Sequence, residues 1–216
     1  MNNKLYNLDC LSGMKNINDN IINVIFTSPP YAEQRKNVYE GRSSEEYIEW
    51  FIPIVKEFER VLSEDGSFFL NIKEHSNNGF RDIYVMKLIV SIVENTNFKL
   101  VDTFCWTKNA FPGKSNNKFK NAWEPVYHFS LNKKIKFFPK NNEIPIKNPD
   151  LYKRTRKKKS TKNGSGFAVI DYDKLRDKKM VLPSNHLNIN NVINQYSKNS
   201  WHPATFPIKL VDFFIS

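Results

Sequence analysis

The residues that invite a chemical reading are Thr27-Ser28-Pro29-Pro30-Tyr31, which follow the apolar run Ile21-Ile22-Asn23-Val24-Ile25-Phe26. That run reads as a buried strand stopped by proline. In open α/β sheets ligands bind beyond the carboxyl ends of the strands, which is where this turn falls. Two successive prolines fix the backbone and remove two N–H donors, while the nearby carbonyls stay able to accept hydrogen bonds. The Ser28 hydroxyl adds an acceptor and Tyr31 an aromatic face. Such a turn suits a planar, NH2-bearing group gripped by acceptors and stacked on a ring. The same residues also make a plain strand-terminating turn with a core tyrosine.

The elements that must hold this turn read as alternating strands and helices. Ser43-Ser44-Glu45-Glu46 starts a helix with acids in its first turn. Tyr47, Trp50, Phe51, Ile54, Val55, Phe58 and Leu62 follow at helical spacing, with Pro53 a candidate kink. Glu64-Asp65-Gly66 reads as a turn before a strand over 67–72, and a second helix spans 82–95. Strands over 98–106 and 126–131 come next, then a short helix over 206–215. The alternation predicts an α/β domain with a mostly parallel sheet. Trp50, Trp106 and Trp123 are expected in the core. Cys10 and Cys105 are expected to be buried thiols rather than a disulfide, and they cannot form a zinc cluster by themselves. His75, His128 and His186 show no metal spacing, so no metal is expected.

The chain has 216 residues, 40% hydrophobic, 14% aromatic and 25% charged, too apolar to be disordered along its length. With 7 Gly, 11 Pro and 2 Cys it is neither collagen-like nor a disulfide scaffold. No apolar run approaches the ~20 residues that span a bilayer, and Met1 to Tyr6 lack a signal-peptide core. A cytoplasmic protein without a membrane partner is the expectation. The net charge is +11, and the window 131–180, with 16 Lys or Arg against 5 Asp or Glu, carries all of it. Its peak is Lys153-Arg154-Thr155-Arg156-Lys157-Lys158-Lys159. Such a segment favours a polyanion, because it releases the counterions condensed on phosphates; a solvated loop without a partner is the bland alternative.

Ser28-Pro29-Pro30-Tyr31 after an apolar strand resembles the catalytic motif of amino-directed DNA methyltransferases. These transfer a methyl group from S-adenosylmethionine to an exocyclic amine of cytosine or adenine. Asn7-Leu8-Asp9-Cys10-Leu11-Ser12-Gly13-Met14 resembles their acidic N-terminal segment. Ser200-Trp201-His202-Pro203-Ala204-Thr205-Phe206-Pro207 resembles the His-Pro-x-x-Phe-Pro segment that lines the cofactor pocket. Ala32 to Lys36, Asp65 to Phe68 and Leu182 to Asn185 also fit. The order of motifs, over about residues 5 to 215, resembles the circularly permuted beta class, and within it the cytosine-N4 enzymes of type II restriction-modification systems.

The resemblance implies a Rossmann-like, S-adenosylmethionine-dependent methyltransferase fold, circularly permuted and incomplete, with an inserted basic target-recognition region. The expected parts are a catalytic α/β part over 1–131, a target-recognition insert over 132–190, and a cofactor-pocket segment over 191–216. Ser28 and the Pro29 carbonyl would accept the amine N–H groups, Pro30 would hold the turn rigid, and Tyr31 would stack on a flipped base. Asp9, Thr27, His202, Pro203, Phe206 and Pro207 would face the cofactor. Arg35, Lys36, Lys153, Arg154, Arg156, Lys157, Lys158 and Lys159 would meet double-stranded DNA. Neither cysteine sits in a Pro-Cys pair, which implies direct transfer without a covalent intermediate. A serine in this motif leans to cytosine N4; its hydroxyl can serve either amine, so adenine N6 stays open. So does a non-catalytic DNA-binding subunit. The family's Asp-Pro-Phe-x-Gly-Ser-Gly-like cofactor loop is not among these residues, and a second polypeptide is one expected source of it. Weak or no transfer by this chain alone is the corresponding expectation.

Overall fold

The computed structural model describes residues 4–33, 41–77, 79–108, 119, 121–146, 180–190 and 207–215. In chain order the elements are α1 (Cys10–Met14), β1 (Ile22–Thr27), α2 (Tyr47–Val61), β2 (Leu62–Asn71), β3 (Ser76–Asn77), β4 (Phe80–Arg81) and α3 (Tyr84–Asn95). Then come β5 (Lys99–Thr107), β6 (Trp123–Ser130), β7 (Ile144–Pro145), β8 (Met180–Val181), β9 (His186–Asn188) and α4 (Ile208–Ile215). The chain divides into two units, residues 1–137 with 185–215, and residues 138–184. In the second unit the described residues form a 3-10 turn at Pro139–Asn142 and a small hairpin of β7 with β8.

The first unit is built on a sheet of order β1-β2-β6-β5-β9. β1 runs parallel to β2, and β5 parallel to β9, but β6 is antiparallel to both β2 and β5. The expectation of a mostly parallel sheet is therefore corrected to a mixed one. β6 lies between β2 and β5, so the strand that follows β5 in the chain folds straight back beside it, without the crossover helix that parallel pairing needs.

Helix α2 forms because its apolar residues recur at three- and four-residue spacing: Tyr47, Phe51, Ile54, Val55, Phe58 and Val61 are all buried. Just ahead of it Ser43 and Glu46 bond to each other. Ser43 Oγ accepts the Glu46 N–H at 3.2 Å and donates to the Glu46 carboxylate at 3.1 Å. The helix runs through Pro53 as one element. Together with α3, which buries Tyr84, Val85, Leu88 and Ile92, it covers one face of the sheet, where Phe68, Leu70 and Phe129 point. On the opposite face Phe213 and Phe214 of α4 pack with Phe26, Phe104 and Trp106, and Phe214 lies 4.4 Å from Phe69. The two-residue alternation of β2 thus feeds two cores.

Glu64-Asp65-Gly66 is not a separate turn. It lies inside β2, where the register jumps from Ile22↔Leu62 to Val24↔Ser67. A Cβ on Gly66 would stand 2.9 Å from the Asn23 carbonyl oxygen, so only glycine lets the strands approach here. Two further expectations need correction. Cys10 is exposed rather than buried, and Cys105 is half-buried; both are free thiols. Trp106 is a core residue, whereas Trp123, at the start of β6, is 44% exposed.

His128 on β6 is a satisfied core histidine. Its Nε2 lies 3.0 Å from Ser67 Oγ, and its ring stacks on Phe69 at 4.4 Å. Burial pushes it down from 6.5 to about 4. Between those values the unfolded chain binds a proton that the folded chain refuses. Stability is therefore complete above pH 6.5 and falls as the pH drops, by about 1.4 kcal/mol per unit. Urea unfolding at pH 6.5 and pH 5 should show this decline, about 2 kcal/mol, and His128→Gln should flatten it.

Candidate active site at the end of strand β1

The turn leaves the carboxyl end of β1, where Thr27 pairs with Leu70 of β2. Pro29 is buried and Pro30 exposed, so the first proline anchors the turn and the second faces outward. Tyrosines from both covering helices hold the backbone. Tyr47 of α2 donates to the Pro30 carbonyl at 2.7 Å. Tyr84 of α3 accepts the Ala32 N–H at 3.4 Å and donates to the Lys73 carbonyl at 3.0 Å. Burial raises both phenols well above the ordinary range, so each stays a neutral donor. The Pro29 carbonyl carries no hydrogen bond among the described residues and is free to accept one. Removing the Tyr47 hydroxyl (Tyr47→Phe) should cost about 1 kcal/mol in urea unfolding, the worth of one neutral hydrogen bond.

Tyr31 is tied down by its hydroxyl. The phenol lies 3.5 Å from Ser28 Oγ, 3.3 Å from Asn71 Oδ1 and 3.3 Å from Glu124 Oε2. Burial first, and the Glu124 charge second, push its titration far up. Asn71 is the last residue of β2 and is buried; its Nδ2 donates to the Pro125 carbonyl at 3.0 Å. Glu124, on β6, is paired through Oε1 with Lys108 Nζ at 2.5 Å. The Lys108 ammonium sits 4.1 Å from the centre of the Trp106 ring. Lys73 is also near; burial lowers its pKa and the Glu124 charge opposes that. The carboxylate is thus a compensated charge at the edge of the turn.

The other expected site residues divide in two. Asp9 is exposed and caps α1, its Oδ1 accepting the Ser12 N–H at 3.0 Å. Pro207 is buried and its carbonyl accepts the Leu210 N–H at 2.9 Å, opening α4. Arg35, Lys36, Lys153, Arg154, Arg156, Lys157, Lys158, Lys159, His202, Pro203 and Phe206 lie outside the described residues. Sequence reasoning missed Asn71, Glu124, Tyr47 and Tyr84. A signal existed for the first two: Asn71 is a polar residue in the apolar run Phe68 to Ile72, and Glu124 precedes Pro125 at the head of a strand.

The N6/N4 DNA methylase family matches residues 22–216. The chain belongs to this family. Its resemblance to the type II methyltransferase M.PvuII of Proteus hauseri is 28% identity over 240 aligned residues, covering 99% of this chain and 69% of the relative. A solved structure titled PvuII DNA methyltransferase (cytosine-N4-specific) superposes with a TM-score of 0.69 at 25% identity, covering 97% of this chain and 68% of that one. The DNA adenine methyltransferase YhdJ of Escherichia coli (strain K12) is 23% identical, over 77% of this chain and 49% of its own length. This N6/N4 DNA methylase therefore has the Rossmann-like fold of an S-adenosylmethionine-dependent methyltransferase. Among the described residues no helix is long and apolar enough to cross a membrane.

Proposed function

We propose that this chain acts in a site-specific DNA methyltransferase that moves a methyl group from S-adenosylmethionine to N4 of cytosine, as the modification activity of a type II restriction-modification system. The observation that carries the reading is the turn itself. It holds the Ser28 hydroxyl next to a Pro29 carbonyl that carries no hydrogen bond among the described residues, with Tyr47 and Tyr84 bonded to the backbone that follows. An exocyclic amine is a poor nucleophile because its lone pair is delocalised into the ring. Two acceptors that hold its N–H groups favour a pyramidal nitrogen and free that lone pair, with no reorganisation at the moment of reaction. Pro30 keeps the turn rigid, and the ring of Tyr31 stacks on the base once it is flipped out of the duplex.

The donor chemistry on this chain fits the methyl donor in part. Asp9 spends one carboxylate oxygen on Ser12 and keeps the other for hydroxyl or amino groups such as those of adenosine. Thr27, His202, Pro203, Phe206 and Pro207 would line the rest of that pocket. S-adenosylmethionine, when bound, supplies the electrophilic methyl group. The glycine-rich loop would come from further polypeptide, a second chain being one source. Arg35, Lys36 and the basic run of Lys153, Arg154, Arg156, Lys157, Lys158 and Lys159 would hold the DNA backbone, a salt-sensitive contact. Adenine N6 is the second reading, favoured by the similarity to YhdJ.

The test is methyl transfer from tritiated S-adenosylmethionine into unmodified bacterial DNA, with the product nucleosides separated by chromatography. N4-methylcytosine is the expected product, and N6-methyladenine would establish the second reading instead. Absence of both products when the polypeptide carrying the glycine-rich loop is also supplied would overturn the proposal, whereas micromolar cofactor binding by this chain alone, read by calorimetry, would overturn the expectation that it needs that loop.

A further inference from the structure

Hydrogen bonds have a direction, and the groups around Tyr31 leave little choice of it. An ionised carboxylate only accepts. Asn71 is likewise committed, because its Nδ2 must face the Pro125 carbonyl at 3.0 Å, which turns Oδ1 toward Tyr31. The phenol therefore meets two acceptors, Asn71 Oδ1 and Glu124 Oε2, each at 3.3 Å, and its single proton goes to that side. Its oxygen is left to accept, and among the described residues the one donor within reach is the Ser28 hydroxyl at 3.5 Å. With that proton spent on Tyr31, the remaining lone pairs of Ser28 Oγ are what the open side of the turn presents.

We propose that Glu124, supported by Asn71, is a positioning residue that orients this hydrogen-bond chain and so makes Ser28 an obligate acceptor toward the target amine. It acts through Tyr31 and touches no substrate. The inference rests on the reading that Ser28 grips an exocyclic amine. It adds that the grip has the right polarity only while an acceptor-only group stands at position 124. A serine free to rotate would spend part of its time pointing its proton at the amine, leaving an amine N–H without an acceptor and competing for the lone pair that must attack the methyl group. Lys108, at 2.5 Å from the other carboxylate oxygen, holds Glu124 in place.

The decisive variant is Glu124→Gln, which keeps shape and volume but adds an NH2 donor that can reverse the chain. Methyl transfer into unmodified DNA should lose about tenfold or more in kcat, with KM for DNA within about threefold. Tyr31→Phe, which removes the relay but no packing, should lose kcat as well. Adding Glu124→Gln to it should then cost nothing further, since the two act as one unit. In parallel, the 13Cζ signal of Tyr31, assigned by its loss in Tyr31→Phe, should shift in Glu124→Gln. Wild-type kcat in either single variant, multiplicative losses in the double variant, or an unmoved Tyr31 signal would overturn the proposal. Should Glu124→Gln fail to fold, Tyr31→Phe alone decides. A wild-type chain that transfers no methyl group even when the polypeptide carrying the glycine-rich loop is supplied would sink the functional reading, whereas the Tyr31 signal tests the hydrogen bond on its own.

Discussion

Replacing Ser28 by alanine is expected to lower kcat for methyl transfer by about 10²–10³-fold, the loss seen when one preorganised polar partner of a reacting group is removed. The side chain is half-buried and, among the described residues, makes one hydrogen bond, at 3.5 Å, to Tyr31. Its removal should therefore leave unfolding within about 0.5 kcal/mol of wild type. The contrast between a large kinetic and a small thermodynamic effect is what marks a residue that acts on the substrate. KM for the cofactor should hardly change, because in the proposed reading Ser28 grips the amine and not the sulfonium. Single-turnover methyl transfer with cofactor and DNA in excess checks this. A kcat within threefold of wild type would mean that the Pro29 carbonyl alone suffices, and that the serine is a turn residue.

Phe68→Ala should be the most destabilising single change in the sheet. Phe68 is fully buried, and its ring lies 5.0 Å from Phe58 of α2 and 5.4 Å from both Phe98 and Phe129. It joins the helical layer to β2 and β6. Truncation leaves a cavity that these rings cannot close, at a cost of about 3–5 kcal/mol. Against a total of about 5–15 kcal/mol for a domain, that brings the protein near its unfolding threshold. Urea unfolding by tryptophan fluorescence measures the loss. Phe68→Leu, which keeps most of the volume, should recover more than half of it. Because β2 ends at Asn71, the same variant should also weaken methyl transfer at temperatures where it is still mostly folded.

Much of the architecture can be read along the chain. The apolar run before Thr27, the helical spacing from Tyr47 to Val61 and the glycine at 66 are local signals, and local physics decides them. The turn at Ser28 to Tyr31 is legible for the same reason: consecutive prolines restrict the backbone wherever they occur. Where the reading went astray, the signal was not local. Glu64 to Gly66 has turn composition, yet pairing with β1 draws it into a strand with a shifted register. Trp123 is apolar, yet it opens β6 at an exposed position.

The sequence by itself determined the α/β class, the turn at the end of β1 and membership of the N6/N4 DNA methylases, since each rests on neighbours in the chain or on motifs in order. Tertiary structure alone decided the direction of β6 and, through it, the surroundings of the turn. Hydrophobic periodicity reports which face of a strand is buried but not which strand lies beside it. Tyr31 meets Asn71 across 40 residues and Glu124 across 93, and no local pattern encodes either contact. Only the packing of β6 against β2 brings that carboxylate to the tyrosine.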